Sequence, residues 1–198
     1  MAGCCRGGLT ARLSVVPWRV AGWGAQAAKT RARRARDSED RLEDRTLCLL
    51  VRGEPAQEVL LGCKKRGFGR GKYVGLGGKV EPGETLEQAA VREVLEEAEV
   101  SVSERALEPA GHLVFAFPFK PEWDMAARVF VARRWLGEPG ETEELQPRWF
   151  PVQRIPYAEM WDDARYWLPY VLAGEWVEAR FVYGADNVTV AEATVLGS

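Results

Sequence analysis

The sequence has a single histidine, His112, among 198 residues. A Ser–His or Cys–His nucleophile pair therefore has one candidate base, and it is set in the strand-like run GHLVFAF, where a histidine is read as packing rather than chemistry. Cysteine is also scarce. Cys4 and Cys5 stand near the N-terminus and Cys48 and Cys63 inside apolar segments, so neither a disulfide framework nor a zinc ligand set is present, which suits a reducing compartment. No apolar run approaches the roughly 20 residues that a membrane helix needs, which excludes a helical membrane protein. Acidic residues are missing from positions 1–36, a stretch that holds eight of the 27 Lys and Arg; all 29 Asp and Glu lie beyond it. The head is basic and the body acidic.

Residues 1–40 are rich in Arg, Ala and Gly and show no sustained periodicity, so they are set apart as a disordered basic extension from a domain over 41–198. An Arg-rich, acid-free head also fits a mitochondrial presequence; the cytoplasm is the default compartment and the mitochondrion the alternative. The RARRAR cluster is read as solvated, with no nucleic-acid partner expected.

From residue 45 the pattern turns to short β-like runs, TLCLLV (46–51) and EVLLGCK (58–64), parted by the turn material RGEPAQ. Strands are also expected at 112–117, 127–135 and 148–152, and a terminal hairpin around GADN. A helix opened by Thr85 and Gln88 in capping-box spacing runs to about Ala98, and a second covers 162–174, with Pro169 as its kink or break. The irregular alternation of strands and helices predicts an α/β fold with a mixed sheet flanked by helices.

What the first helix lacks is a lysine or arginine in its last turn. REVLEEAEV (92–100) places Glu93, Glu96, Glu97 and Glu99 where unpaired carbonyls already supply negative charge, each at a cost of about 0.3–1 kcal/mol. At about 100° per residue, Glu93, Glu96 and Glu97 share the face that small apolar residues would turn inward. Arg92 can reach Glu96 at i, i+4, but Glu93 meets Glu97 at that spacing. Hard oxygen ligands converging from one rigid helix suit Mg²⁺, or Mn²⁺ in its place, which keeps water and substrate phosphate in its other positions. Just upstream, KKRGFGRGK (64–72) and GLGGK offer cations and unshielded amides, a combination suited to phosphate.

These residues carry a resemblance. From Gly78 to Val100 the chain is similar to the signature of the Nudix hydrolases, G-x5-E-x7-R-E-U-x-E-E-x-G-U with U a bulky aliphatic, at Gly78, Glu84, Arg92, Glu93, Val94, Glu96, Glu97 and Val100. Glu99 stands where that pattern has glycine. The likeness extends over about 45–195 to the MutT homologues of animals that hydrolyse oxidised purine nucleoside triphosphates, through LLGCKKRGFGRGKY, WFPVQRIPYAEMW and YWLPYVL. It implies the Nudix α/β/α sandwich, acting as a monomer on a free nucleotide and releasing the monophosphate and pyrophosphate.

Carried over by that resemblance, Glu93, Glu96, Glu97 and Glu144 would hold the metals with a carbonyl of Gly77 or Gly78, and Glu97 and Glu144 are the two candidates for general base. Arg92 would orient a neighbouring carboxylate. Thr46, Lys64, Phe68, Phe115, Phe117 and Trp161 would meet the substrate, with Leu76, Gly77, Gly78 and Lys79 passing close to it and Asp162 and Asp163 near the base. Val74 and Ala164 replace an asparagine and an aspartate by which the relatives read the base edge. Another Nudix substrate, ADP-ribose or a dinucleotide, is therefore an alternative, and a catalytically silent Nudix-fold binding module is a third reading.

Overall fold

The computed structural model describes residues 42–197; the basic extension expected over 1–40 lies outside the described residues. The first apolar run extends into strand β1 (Glu43–Arg52). Side chains alternate across a strand, so Leu49 and Val51 enter one buried cluster and Cys48 and Leu50 another on the opposite face. Both faces are covered, which is why the strand reads as nearly continuous apolar sequence.

β5 (Met125–Ala132) runs parallel to β1 with Leu49 opposite Val131. β4 (Leu107–Ala116) pairs with it antiparallel and continues to β7 (Val177–Tyr183) in parallel; β8 (Val190–Gly197) closes the expected terminal hairpin. On the other side of β1 lie β2 (Glu58–Lys64), β3 (Tyr73–Val74) and β6 (Leu145–Pro151), the last pairing with β2 along its length. The sheet order is β3-β2-β1-β5-β4-β7-β8 with β6 beside β2, a mixed sheet as expected.

Helix α1 (Leu86–Ala98) packs Ala90, Val94 and Ala98 with Cys48, Leu50 and Phe130. Helix α2 (Ala164–Leu172) packs Trp167, Leu168 and Val171 with Leu49, Val129 and Phe181 on the other face. The α/β/α sandwich is present. Each fully buried leucine of this kind contributes about 1.5–3 kcal/mol.

The structure corrects two expectations and adds one strand that the sequence did not announce. Helix α2 runs unbroken through Pro169, because Pro169 and Arg165, whose carbonyl loses its usual donor, are both exposed, so water can take that carbonyl. β5 ends at Ala132 rather than at Trp135. β3, only two residues long within the glycine-rich stretch, carries no periodicity by which to anticipate it.

Candidate active site

Helix α1 begins with the expected reciprocal cap: Gln88 N–H donates to Thr85 Oγ1 (3.2 Å) and Thr85 N–H to Gln88 Oε1 (3.0 Å). It ends on Glu99, left-handed at φ 58 and ψ 23, whose N–H donates to the Leu95 carbonyl. Glu99 thus adopts the conformation a glycine would hold more cheaply, at a cost of about 1 kcal/mol. Its carboxylate rests against Gly140, where an added Cβ would meet Oε2 at 2.6 Å.

Each carboxylate of the acidic face is engaged by the protein's own cations and amides. Glu97 is 2% exposed; its Oε2 accepts from Gly77 N–H (2.8 Å) and its Oε1 faces Lys64 Nζ at 3.3 Å. Arg92 is the hub. It pairs bidentately with Glu84 (2.8 and 3.0 Å), donates to Glu93 (2.8 Å) and the Lys79 carbonyl (2.9 Å), and reaches the exposed Glu96 at 3.2 Å. Burial pushes the Glu93 and Glu97 carboxyls above the usual range, more than Arg92 and Lys64 draw them back.

The expected ligand set is not gathered. Among the described residues no three acidic side chains are placed together so as to hold a metal ion. The reason is local charge: Glu93 and Glu96 turn to Arg92, Glu97 to Lys64, and Glu144, half exposed on its loop, to Arg66 at 2.7 Å. The Gly78 carbonyl accepts instead from Thr46 N–H (2.9 Å). The donor set still fits a hard divalent cation, because two carboxylates of one rigid helix are held desolvated beyond what their partners offset. Gly78 supplies the room. A Cβ there would meet Glu93 Oε1 at 2.3 Å, so Gly78→Ala is expected to swing Glu93 aside and lower turnover by roughly tenfold. A titration of activity against added divalent cation should show the demand for metal rising while the melting temperature holds.

Beside this face a cavity of about 360 Å³ opens between β1, the glycine segment 75–79 and α2. All but two of the residues expected to bind substrate line it. Leu76 is fully buried under α1, exchanging backbone hydrogen bonds with Cys48 (2.6 and 3.0 Å). Asp162 turns from the cavity to accept from Val190 N–H (2.9 Å) and pair with Arg165 (2.9 Å). It is therefore not among the residues that line the cavity. His112 does not line the cavity either.

The cavity wall is aromatic. Trp161 stacks on Phe68 (centroids 4.9 Å apart, 18° between planes) and Phe117 on Tyr183 (4.3 Å, 7°). Asp163, 5% exposed, accepts from Trp167 Nε1 (2.7 Å) and Tyr183 OH (2.5 Å). Burial pushes its carboxyl up, against the two donors that lower it. Thr46 Oγ1 is buried without a partner, and Val74 contributes only apolar surface. An apolar slot with a few fixed polar groups is the usual form of a small-molecule site. Trp167 could have been anticipated from its i+4 spacing to Asp163; Tyr183, brought in by the sheet's topology, could not.

A family model described as the NUDIX domain matches residues 42–171, more than half of the chain. The chain belongs to the Nudix family. The mouse oxidized purine nucleoside triphosphate hydrolase is 48% identical over 116 residues, 59% of this chain and 72% of that protein. The zebrafish protein of the same name is 43% identical over 145 residues, 73% of this chain and 89% of that one. The solved MutT protein of Bacillus halodurans superposes with a TM-score of 0.67 over 78% of this chain and 97% of its own, at 24% identity, a likeness of fold alone. As a Nudix helix, α1 carries the signature's Arg92, Glu93, Glu96 and Glu97, and as a Nudix chain this one departs from the pattern at Glu99 while retaining the left-handed turn.

Proposed function

We propose that the protein hydrolyses purine nucleoside triphosphates, oxidised purines included, to the monophosphate and pyrophosphate, as a monomer acting on free nucleotide. One observation carries the reading: the aromatic cavity and the acidic face of α1 meet at Gly77 and Gly78, one bonded to Glu97 and the other packed on Glu93. A purine stacked against the aromatic wall, with Asp163 and Thr46 at its edge, sends its phosphate chain past these glycines toward Glu93 and Glu97. Lys64 and Lys79 meet the phosphate oxygens.

A divalent cation held by Glu93, Glu96 and Glu97 would neutralise phosphate charge. Glu97 takes the proton from the attacking water as the new P–O bond forms and the bond to the pyrophosphate leaving group breaks. Glu97 is preferred to Glu144 as base because it lies buried beside the glycines, whereas Glu144 is drawn outward to Arg66. Arg92 positions Glu93. Among the described residues no helix is long and apolar enough to cross a membrane; the described cysteines are unpaired, which suits a reducing compartment such as the cytoplasm.

Val74 favours a second reading, since it cannot hydrogen-bond a base edge and so weakens discrimination among purines. That substrate would be ADP-ribose or a dinucleotide. A single panel decides: ordinary and oxidised dATP and dGTP, ADP-ribose and a diadenosine polyphosphate, each with Mg²⁺ and with chelator. The expected result is Mg²⁺-dependent release of pyrophosphate, not orthophosphate, from the triphosphates. Turnover of ADP-ribose or the dinucleotide alone would replace the reading with the second.

A further inference from the structure

At the mouth of the cavity, β1 meets the glycine segment through a backbone bridge between Arg45 and Lys79. Both residues line the cavity. Both also turn onto one carboxylate: Glu43 receives Arg45 Nη2 and Lys79 Nζ, each at 2.5 Å. This arrangement differs from an ordinary surface ion pair in two ways.

Arg45 Nε is buried and has no hydrogen-bond partner. A guanidinium is a fork of five donors, and leaving a desolvated one unmet is costly. Glu43 satisfies the far end of the fork and leaves the near end unmet. The second difference is position. Strand alternation sets Arg45 on the face of Leu47 and Leu49, which line the cavity, and its register partner Ala127 on β5 lines it too. Lys79 follows Gly78, against which Glu93 rests, and its carbonyl is held by Arg92. The two cations thus stand where the aromatic cavity gives way to the acidic helix.

We propose that Arg45 and Lys79 form an anion-binding pair for the phosphate chain of the nucleotide, and that Glu43 is an internal carboxylate which occupies the pair until ligand displaces it. The ligand's identity rests on the nucleotide reading above. Carboxylate and phosphate present similar oxygen pairs to a guanidinium fork, so the geometry that holds Glu43 also holds a phosphate. Glu43 is partly exposed and is released to water, where it loses little. Arg45 then turns its unmet Nε–H to the bound phosphate.

The test measures binding without turnover. The native chain, Arg45→Gln and Glu43→Gln are titrated in chelator with a purine nucleoside 5′-monophosphate and with the parent nucleoside, by calorimetry. Arg45→Gln is expected to weaken the monophosphate about tenfold and the nucleoside less than about twofold, in keeping with loss of one charge-assisted contact. Glu43→Gln, which frees the pair, is expected to tighten the monophosphate about threefold. Equal weakening of nucleotide and nucleoside by Arg45→Gln would overturn the proposal, as would an unchanged or weakened monophosphate affinity in Glu43→Gln, or no monophosphate binding by the native chain. Monophosphate binding that follows the expected pattern in a chain inactive toward the whole substrate panel would strike the hydrolytic reading and leave the anion pair standing.

Discussion

Replacing Glu97 with glutamine is expected to reduce turnover about a thousandfold, within the span that general bases contribute, while the chain stays at least as stable as the native protein. The two halves of this result have different causes. Glutamine keeps the shape of the side chain and an acceptor for Gly77 N–H, now met at 2.8 Å by Glu97 Oε2, so the glycine segment that lines the cavity is not released. What it removes is the charge. Glu97 is almost wholly buried and its carboxyl is raised by desolvation, only partly offset by Lys64 and the Gly77 amide. An ion whose burial is poorly compensated adds little to stability, and Lys64, whose side chain keeps 20% exposure, can turn its ammonium to water once Glu97 is neutral. Chemistry, by contrast, loses the group proposed to take water's proton and one of the carboxylates that would bind metal. Rates under single-turnover conditions, set beside a thermal melt, check both halves. A variant that melts as the native chain does yet retains turnover within tenfold would show that Glu97 is not the base, and Glu144→Gln would then be the next variant to measure.

Much of this site was legible in the sequence because it breaks a local rule. Four glutamates crowd the end of α1 with no cation in the last turn, and such a breach without nearby compensation marks a functional position. The helical wheel placed Glu93, Glu96 and Glu97 on the inward face; the structure finds Glu93 half-buried and Glu97 buried there, but Glu96, at the margin of that arc, exposed. The capping box and the terminal hairpin follow from local chemistry alone and could be placed without tertiary knowledge.

Less legible was everything decided across the sheet. The cation that meets Glu97 is Lys64, 33 residues away on β2, and no spacing rule connects them. Arg66 draws Glu144 outward across 78 residues, so a ligand set assembled from one helix and one distant loop could not be fixed by sequence order. Asp162 and Asp163 are neighbours yet face different surroundings: one meets β8 and the other the core. Pro169 misled because its helix-breaking tendency is an average over buried and exposed settings, and here the carbonyl it orphans lies on the water side.

Asp163→Ala is expected to destabilise the chain by about 4 kcal/mol, from two buried donors stranded at about 1–3 kcal/mol each. Trp167 Nε1 and Tyr183 OH both end on this carboxyl and sit among residues with little access to water. Tyr183 is also the ring on which Phe117 stacks at 4.3 Å, so its release loosens the aromatic wall and lowers affinity for any planar ligand. Asparagine is the informative control. Its amide oxygen can accept from Trp167 while its NH₂ donates to the Tyr183 hydroxyl, which rotates to accept, so Asp163→Asn should cost no more than about 1 kcal/mol. The pair also separates by pH. Burial raises the Asp163 carboxyl above its ordinary 3.8, so the folded chain keeps this proton after the unfolded chain has lost it, and that contribution to stability disappears as pH climbs through the raised value. Asparagine has no such proton. The native chain should therefore lose stability relative to Asp163→Asn as pH rises from about 4, and denaturant titrations of both chains across that range measure the gap directly. A gap that stays flat, with Asp163→Ala as mild as Asp163→Asn, would mean that the carboxyl is solvated and that the wall is held by packing alone.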